Sequence, residues 1–333
     1  MSLHLHGLGH FHPENEITNA FLEELDIGTN DEWILERVGI RSRRTTLPLD
    51  YIRQTHNRDA RAAAEATLYT HADTGRRAAE MAIARAGIDK SAIGMVIAGS
   101  SAMDTATPAE ACNVARALEL EVPALDVNSA CTSFFANLFM LSLMDPAKLP
   151  EYVLVVVPEA VTRTVDYDDR SSAVLWGDGA VAAVLSTRVP GRAEVLDSTL
   201  KSSPAGADKV VVPRVGHFRQ HGRAVQMFAI RKTIEQLARL RDTYTTEGRR
   251  FHFVGHQANL RMLDAVRREC DIPDDRHHSN VEWYGNTAGA AAPSVLSMRW
   301  DEWRADDDVG VVGVGAGLTW SSYLLRFGNG APA

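Results

Sequence analysis

Cys131, His256 and Asn286 are the residues of this sequence whose types and surroundings fit a chemistry. Cys131 follows the run Pro123–Val127, which reads as a strand, and opens the long apolar stretch Thr132–Met144, which reads as a helix. A thiol in the first turn of a helix meets unpaired N–H groups and the positive end of the helix dipole. Both favour thiolate and are expected to depress its pKa. Thiolate is the form that attacks a thioester. The plainer alternative is a buried structural cysteine, and Cys112 and Cys270, inside helical patterns, read that way. His256 also stands at a strand-to-helix turn, where a lone histidine is more often structural than catalytic. Asn286, between Gly285 and Thr287, fits a cap or an amide N–H donor aimed into a cleft. Taken together the three gain meaning. The cysteine can take an acyl group, and the histidine and asparagine can both donate to one carbonyl oxygen. Such donors stabilise the enolate formed when a malonyl thioester loses carbon dioxide.

These residues need a scaffold, and the chain supplies a repeated one. Thr74–Ala86 is predicted helical and stops at Gly87; Gly94–Gly99 reads as a strand; a helix follows Pro108 to about Leu118. Tyr152–Val157 is almost wholly apolar, as a strand covered on both faces should be. Ala229–Arg241 and Gln257–Glu269 read as helices, Arg250–Val254, Val281–Tyr284 and Val309–Val314 as strands, and Trp320–Phe327 as a closing apolar run. Alternation of this kind argues for a layered α/β architecture. The shared order of elements suggests two duplicated halves, residues 1–188 with the cysteine and 189–333 with His256 and Asn286, hinged near Arg188–Gly191. In that register Cys131 corresponds to Asn286, and Gly177-Asp178-Gly179 roughly to Gly315-Ala316-Gly317. Residues Leu47–Asp73 interrupt the scheme and read as a surface insertion.

Composition excludes several classes. With 333 residues, 45% of them hydrophobic, the chain can bury a large core. A net charge of −8 makes a general nucleic-acid binder a poor reading, although Arg37, Arg41, Arg43 and Arg44 form a local basic cluster. Three cysteines without a Cys-x-x-Cys pair do not suggest a disulfide framework. No apolar run of about 18 residues predicts a membrane span, and the N-terminal segment does not read as a signal peptide. A cytoplasmic protein is expected. His4, His6, His10 and His12 cluster near the N-terminus, but no cysteine or carboxylate constellation supports a metal there, so none is expected.

The sequence resembles the β-ketoacyl-acyl-carrier-protein synthase III family. The resemblance rests on Asn30-Asp31-Glu32-Trp33-Ile34, Gly39-Ile40-Arg41, Ala130-Cys131, Trp176-Gly177-Asp178-Gly179-Ala180, His256-Gln257-Ala258-Asn259-Leu260-Arg261, Gly285-Asn286-Thr287 and Gly315-Ala316-Gly317-Leu318-Thr319-Trp320. It implies an α/β thiolase fold, five-layered α-β-α-β-α, in a homodimer. It also implies an acyl-CoA primer and a malonyl-acyl-carrier-protein extender, with no cofactor beyond these thioesters. Cys131 would be the nucleophile, and His256 and Asn286 the decarboxylation pair. The backbone of Cys131 and Ala316 would form the oxyanion site. Trp33, Arg37 and Arg163 would hold CoA, and Arg261 would meet the carrier protein.

The sequence departs from the family pattern around the acyl pocket. The cysteine run is Ala130-Cys131-Thr132-Ser133-Phe134, and Val314 stands in place of a phenylalanine. Gln226 and Met227 stand where Phe and a basic residue are frequent, close to Phe228. Thr107 stands near where a bulky aromatic crosses into the partner's pocket. These changes bear on primer identity. The leading expectation is the condensation that initiates fatty-acid synthesis. A specialised ketosynthase or acyltransferase of a polyketide or other secondary pathway is the alternative. An inactive partner subunit is a third reading, against which all three reactive residues are present.

Overall fold

The computed structural model describes residues 2–328. Its main sheet has nine strands: β1 (Leu3–Phe11), β2 (Ile93–Ala98), β3 (Ala124–Asp126), β4 (Tyr152–Glu159), β5 (Gly179–Ser186), β6 (Ala193–Ser202), β7 (Arg250–Gly255), β8 (Asp307–Gly315) and β9 (Thr319–Phe327). Their spatial order is β7-β8-β9-β6-β1-β5-β4-β2-β3. The order contains a repeat. The run β2-β4-β5-β1 is parallel at its first pairing and antiparallel at the next two, and β7-β8-β9-β6 follows the same pattern. Antiparallel pairing of β1 with β6 joins the two runs.

The helices complete five layers. α1 (Asp31–Arg37) lies at the rim. α2 (His71–Ala86) covers one outer face against β1, β5 and β4, together with α3 (Glu110–Ala117). α5 (Gly222–Tyr244) and α6 (Leu260–Glu269) cover the other, α5 against β8, β9 and β7. Between the sheet halves run α4 (Ser133–Leu143) and α7 (Ala291–Met298), each touching strands of both. Local chemistry sets these elements. α2 starts at a reciprocal capping box of Thr70 and Asp73 and ends at Gly87 in the left-handed conformation. It lies flush on β1 because a Cβ at Gly7 or Gly9 would come within 2.1 Å and 2.0 Å of the Ala82 and Ala78 carbonyl oxygens. Every residue of β4 and β5 is buried, in keeping with strands covered on both faces.

Residues 47–73 lie largely at the surface and are pinned to the body of the fold: Leu47, Ile52, Ala63 and His71 are buried, and the Asn57 amide donates to the Arg163 and Val165 carbonyls. One expectation is corrected. Val281–Tyr284 is a helical turn rather than a strand, closed by Gly285 at φ +65. Isolated bridges flank it, His277 with Phe253 of β7 upstream and Asn286 with Trp176 downstream.

Burial makes several histidines acid-labile. Desolvation lowers His12 and His278 to about 3 and His10, His256 and His277 to about 4. Against an unfolded value near 6.5, the unfolded chain binds more protons between the two, so stability is full above about 6.5 and lost as pH falls toward 4. Glu159 and Asp178, both raised by burial, work the opposite way, but five histidines outweigh two carboxylates. Each such histidine costs about 1 kcal/mol at pH 5.5. Thermal unfolding followed from pH 7.5 to 5 should show a falling midpoint, and a flat or rising one would contradict this reading of the core.

Candidate active site

The ends of the repeated strands converge on one cleft, and the repeat gives its geometry. The Gly99 N–H donates to Val156 of β4, and the His256 N–H to Val312 of β8. His256 and Gly99 therefore correspond, as do Gly315 and Glu159 three residues further on. Asn128 Oδ1 accepts from the Ala130 N–H at 2.8 Å, and Asn286 Oδ1 from the Ala288 N–H at 3.0 Å. Ala130 and Ala288 both take left-handed φ, +48 and +47. The register expected from the order of elements is thus three residues out. Asn286 pairs with Asn128, Cys131 with Gly289 and Gly315 with Glu159, while Gly179 pairs with Thr319, which leaves the Gly177–Gly179 turn within two residues of its expected match.

Cys131 sits in a tight turn, Ala130–Thr132, that leads directly into α4. The backbone N–H groups of Cys131 and Ala316 both favour charge on its sulfur, so the two donors expected to serve an oxyanion lie beside the nucleophile. Burial nevertheless pushes the thiol up to about 12, and the nearby Glu159 carboxylate adds to the rise. The expectation of a depressed thiol pKa is corrected on that account: the helix N-terminus supplies N–H donors, but desolvation outweighs them. The resting residue is a thiol.

His256 and Asn286 face the same cleft. His256 is buried, and desolvation alone lowers it to about 4, so it stands as a neutral imidazole with one N–H to give. The Ala288 N–H can only meet the amide oxygen of Asn286, which leaves the Nδ2 hydrogens free. The Asn286 N–H and carbonyl are tied to Leu175 and Gly177. The Asn286 amide is thereby held as a donor.

The cleft has a volume of about 570 Å³ and reaches from Cys131 past Val314, Phe228 and Gln226 to Trp33 and Arg37. The guanidinium groups of Arg37 and Arg170 lie 4.9 Å and 4.8 Å from the Trp33 ring centroid. Arg170 was not expected here, and Arg163 was. Arg163 is buried outside the cleft, paired with Asp104 at 2.7 Å and bonded to the Ala160 and Ala102 carbonyls and to His71. It cannot reach CoA from there. The expectation for Arg163 is corrected, and the aromatic–guanidinium pairing belongs to Arg170. His71, Asp104 and Glu110 gather like metal ligands, but the Arg163 guanidinium already supplies their cation.

Other expected contacts are also relocated. Phe134 faces the central core, where it meets Tyr323 with ring centroids 6.3 Å apart, and does not line the cleft. Thr107 lies on an exposed loop outside the cleft of its own chain. Arg261 is exposed on α6, and its guanidinium donates to the Leu35 and Glu36 carbonyls at the end of α1, which holds the helix bearing Trp33.

Comparison with known proteins follows the same lines. Residues 125–204 match the family described as 3-oxoacyl-[acyl-carrier-protein] synthase III, and residues 246–327 match its C-terminal part. The chain is 32% identical to a β-ketoacyl-[acyl-carrier-protein] synthase III of Oceanobacillus iheyensis, over 99% of this chain and 100% of that one. It matches the crystal structure of 3-oxoacyl-(acyl carrier protein) synthase III from Pseudomonas aeruginosa PAO1 with a TM-score of 0.84 at 31% identity, covering 100% of both chains. It also matches the priming β-ketosynthase of the R1128 polyketide biosynthetic pathway, with a TM-score of 0.80 at 27% identity over 99% of this chain and 97% of that one.

Proposed function

The chain belongs to the β-ketoacyl-acyl-carrier-protein synthase III family of thiolase-fold condensing enzymes, and from that premise we propose how its cleft divides the work. The activity is that of an acyltransferase initiating fatty-acid synthesis. The donor is an acyl-CoA, whose nucleotide end lies at Trp33 with Arg37 and Arg170 and whose thioester reaches Cys131. The sulfur attacks the carbonyl, the tetrahedral oxyanion is held by the Cys131 and Ala316 N–H groups, and CoA leaves. Malonyl-acyl-carrier protein then enters. His256 and Asn286 donate to its thioester oxygen as carbon dioxide departs, and the enolate carbon attacks the acyl group on sulfur. Thiolate is expelled, and the β-ketoacyl product remains on the carrier. Side chains and the two thioesters suffice, so no further cofactor is required. We place the enzyme as a homodimer in the cytoplasm; among the described residues no helix is long and apolar enough to cross a membrane.

The observation that carries this reading is the meeting of Cys131, His256, Asn286 and the Ala316 N–H in one cleft. Incubation with acyl-CoA should add one acyl mass to the protein, and malonyl-acyl-carrier protein should then discharge it as a β-ketoacyl-carrier product. An acyl-enzyme that malonyl-carrier protein leaves intact would contradict it. Priming of a specialised pathway is a second reading, favoured by Gln226 and Val314 along the cleft and by the likeness to a polyketide priming synthase.

The CoA end gives a separate test. Arg170→Ala should raise KM for acyl-CoA about tenfold with little change in kcat, the effect of losing one charge-assisted contact. Arg163→Ala should instead destabilise the fold by about 1.5–3 kcal/mol, because half-buried Asp104 loses its charged partner. Steady-state kinetics and thermal unfolding of the two variants check this. A KM effect confined to Arg163→Ala would reverse the assignment.

A further inference from the structure

Glu159, the last residue of β4, is 1% exposed and lies beside Cys131. A carboxylate with so little access to water must be held by donors, and it has four. Its Oε1 accepts from the Ser101 hydroxyl at 3.0 Å and the Gly289 N–H at 3.0 Å; its Oε2 accepts from the Ser101 N–H at 2.9 Å and the Ser100 hydroxyl at 3.3 Å. Gly289 permits this approach: a Cβ there would stand 2.8 Å from Glu159 Oε1 and 3.2 Å from the Ala130 carbonyl oxygen. The Ser101 hydroxyl also favours charge on the Cys131 sulfur, its neighbour. One hydroxyl is therefore bonded to the buried carboxylate and stands beside the thiol.

We propose that Ser101 relays the thiol proton of Cys131 to the Glu159 carboxylate during acyl transfer. The proposal rests on Cys131 being the acyl acceptor. As the sulfur attacks the thioester carbonyl, the S–H proton passes to Ser101 Oγ while the Ser101 proton passes to Glu159 Oε1. The bond from carbon to the CoA sulfur breaks, CoA leaves as thiolate, and Glu159 returns its proton to that thiolate or to water. Atoms and charge balance, and Ser101 ends as it began.

Electrostatics favour this route over the alternatives. Two neighbouring anions in a buried site repel strongly, so a free Cys131 thiolate beside an ionised Glu159 is disfavoured. Exchange of one proton between them keeps the local charge at one negative throughout. His256 is the other base in the cleft, but burial holds it at about 4, whereas burial raises Glu159 to about 7. Glu159 is the stronger proton acceptor of the two. The groups facing Glu159 are few: Cys131 and Ser101 on one side and His71 on the other, with Arg163, Asp104 and Glu110 beyond it. His71 favours the carboxylate form.

Single-turnover release of CoA, measured across pH with acetyl-CoA, distinguishes the relay from simple repulsion. In the unmodified enzyme the acylation rate should rise with pH through about 7 as Glu159 ionises. Glu159→Gln should slow acylation about a hundredfold and abolish that rise, the loss expected of a general base. Ser101→Ala, which keeps the Ser101 and Gly289 N–H partners of the carboxylate, should slow it at least about tenfold. If Glu159 acts only by repelling thiolate, Glu159→Gln will be faster than the unmodified enzyme, and the proposal is overturned. Should that variant fail to fold, Ser101→Ala decides alone: an unchanged rate and pH profile overturn the relay. Peptide mapping of the acylated enzyme separates the two layers, since a label away from Cys131 removes the premise, whereas a label on Cys131 with unaffected variants removes only the relay.

Discussion

Cys131→Ala is expected to release no CoA from acyl-CoA and to form no β-ketoacyl product. His256→Ala and Asn286→Ala are expected to keep much of the first half-reaction while losing about a hundredfold to a thousandfold in decarboxylation of the malonyl thioester, the usual cost of one preorganised donor. The split follows from where charge develops. In the proposed mechanism the Cys131 and Ala316 N–H groups hold the carbonyl oxyanion of the first half-reaction, whereas the enolate appears only after carbon dioxide departs. The geometry makes the asparagine the more exacting test. The Ala288 N–H fixes which end of the Asn286 amide can point into the cleft, so Asn286→Asp should fail as well, having no hydrogen to give. Intact mass reports the acyl-enzyme, and carbon dioxide release reports the second step. Condensation at the unmodified rate in Asn286→Ala would remove the donor role. Cys112 is an internal control: it is exposed while Cys131 is buried, so indiscriminate acylation would label Cys112 first.

Much of the scaffold is legible in the sequence because its strands are short, apolar and bounded by turn residues. Periodicity does not carry register. The order of elements aligns Cys131 with Asn286, yet the finer marker was present in the letters: Asn128-Ser129-Ala130 and Asn286-Thr287-Ala288 share an Asn-x-Ala spacing, and each Asn caps the N–H two residues on. That spacing pairs Asn286 with Asn128 and leaves Gly289 opposite Cys131. Val281–Tyr284 misleads for a different reason. Four residues with Val, Trp and Tyr suit a strand, but here they make one helical turn before Gly285.

The remaining differences are those that long-range partners decide. Arg163 and Arg170 lie in one connection, seven positions apart, and nothing local says which faces the cleft. Asp104, far away in sequence, draws Arg163 inward, and Trp33, further still, stacks with Arg170. The thiol of Cys131 shows the same limit. Its place at a helix start is readable and argues for a lower pKa. Its burial, and the carboxylate brought beside it by β4, are tertiary facts that push it up. Cys131, His256 and Asn286 escape this limit because each sits in a turn between elements, and the cleft gathers all three.

The acyl pocket is where composition and structure together predict a change in selectivity. Val314 is the penultimate residue of β8 and lines the cleft, while Gln226 and Phe228 line it from the first turns of α5. Phe228 lies edge-on to Trp320 with ring centroids 5.7 Å apart. Phe134, the aromatic that would have refilled the space left by a smaller residue at 314, is turned into the core beside Tyr323. Thr107 stands exposed on its loop and brings no ring to any pocket. Apart from Phe228, the positions expected to close the pocket are thus small, polar or turned elsewhere. Each further methylene buried there contributes roughly 0.8 kcal/mol, so three of them shift selectivity by roughly fiftyfold. The enzyme is therefore expected to accept primers longer than acetyl, with kcat/KM for a medium-chain acyl-CoA at least equal to that for acetyl-CoA. Val314→Phe should place a ring in the cleft and return the preference to acetyl, and Thr107→Phe should do so across the interface of the proposed homodimer. A panel of acyl-CoA primers with malonyl-acyl-carrier protein measures all three enzymes. Strong acetyl preference in the unmodified protein would refute the open pocket while leaving Cys131, His256 and Asn286 in place, because the volume beyond the sulfur and the donors around it are set by different residues.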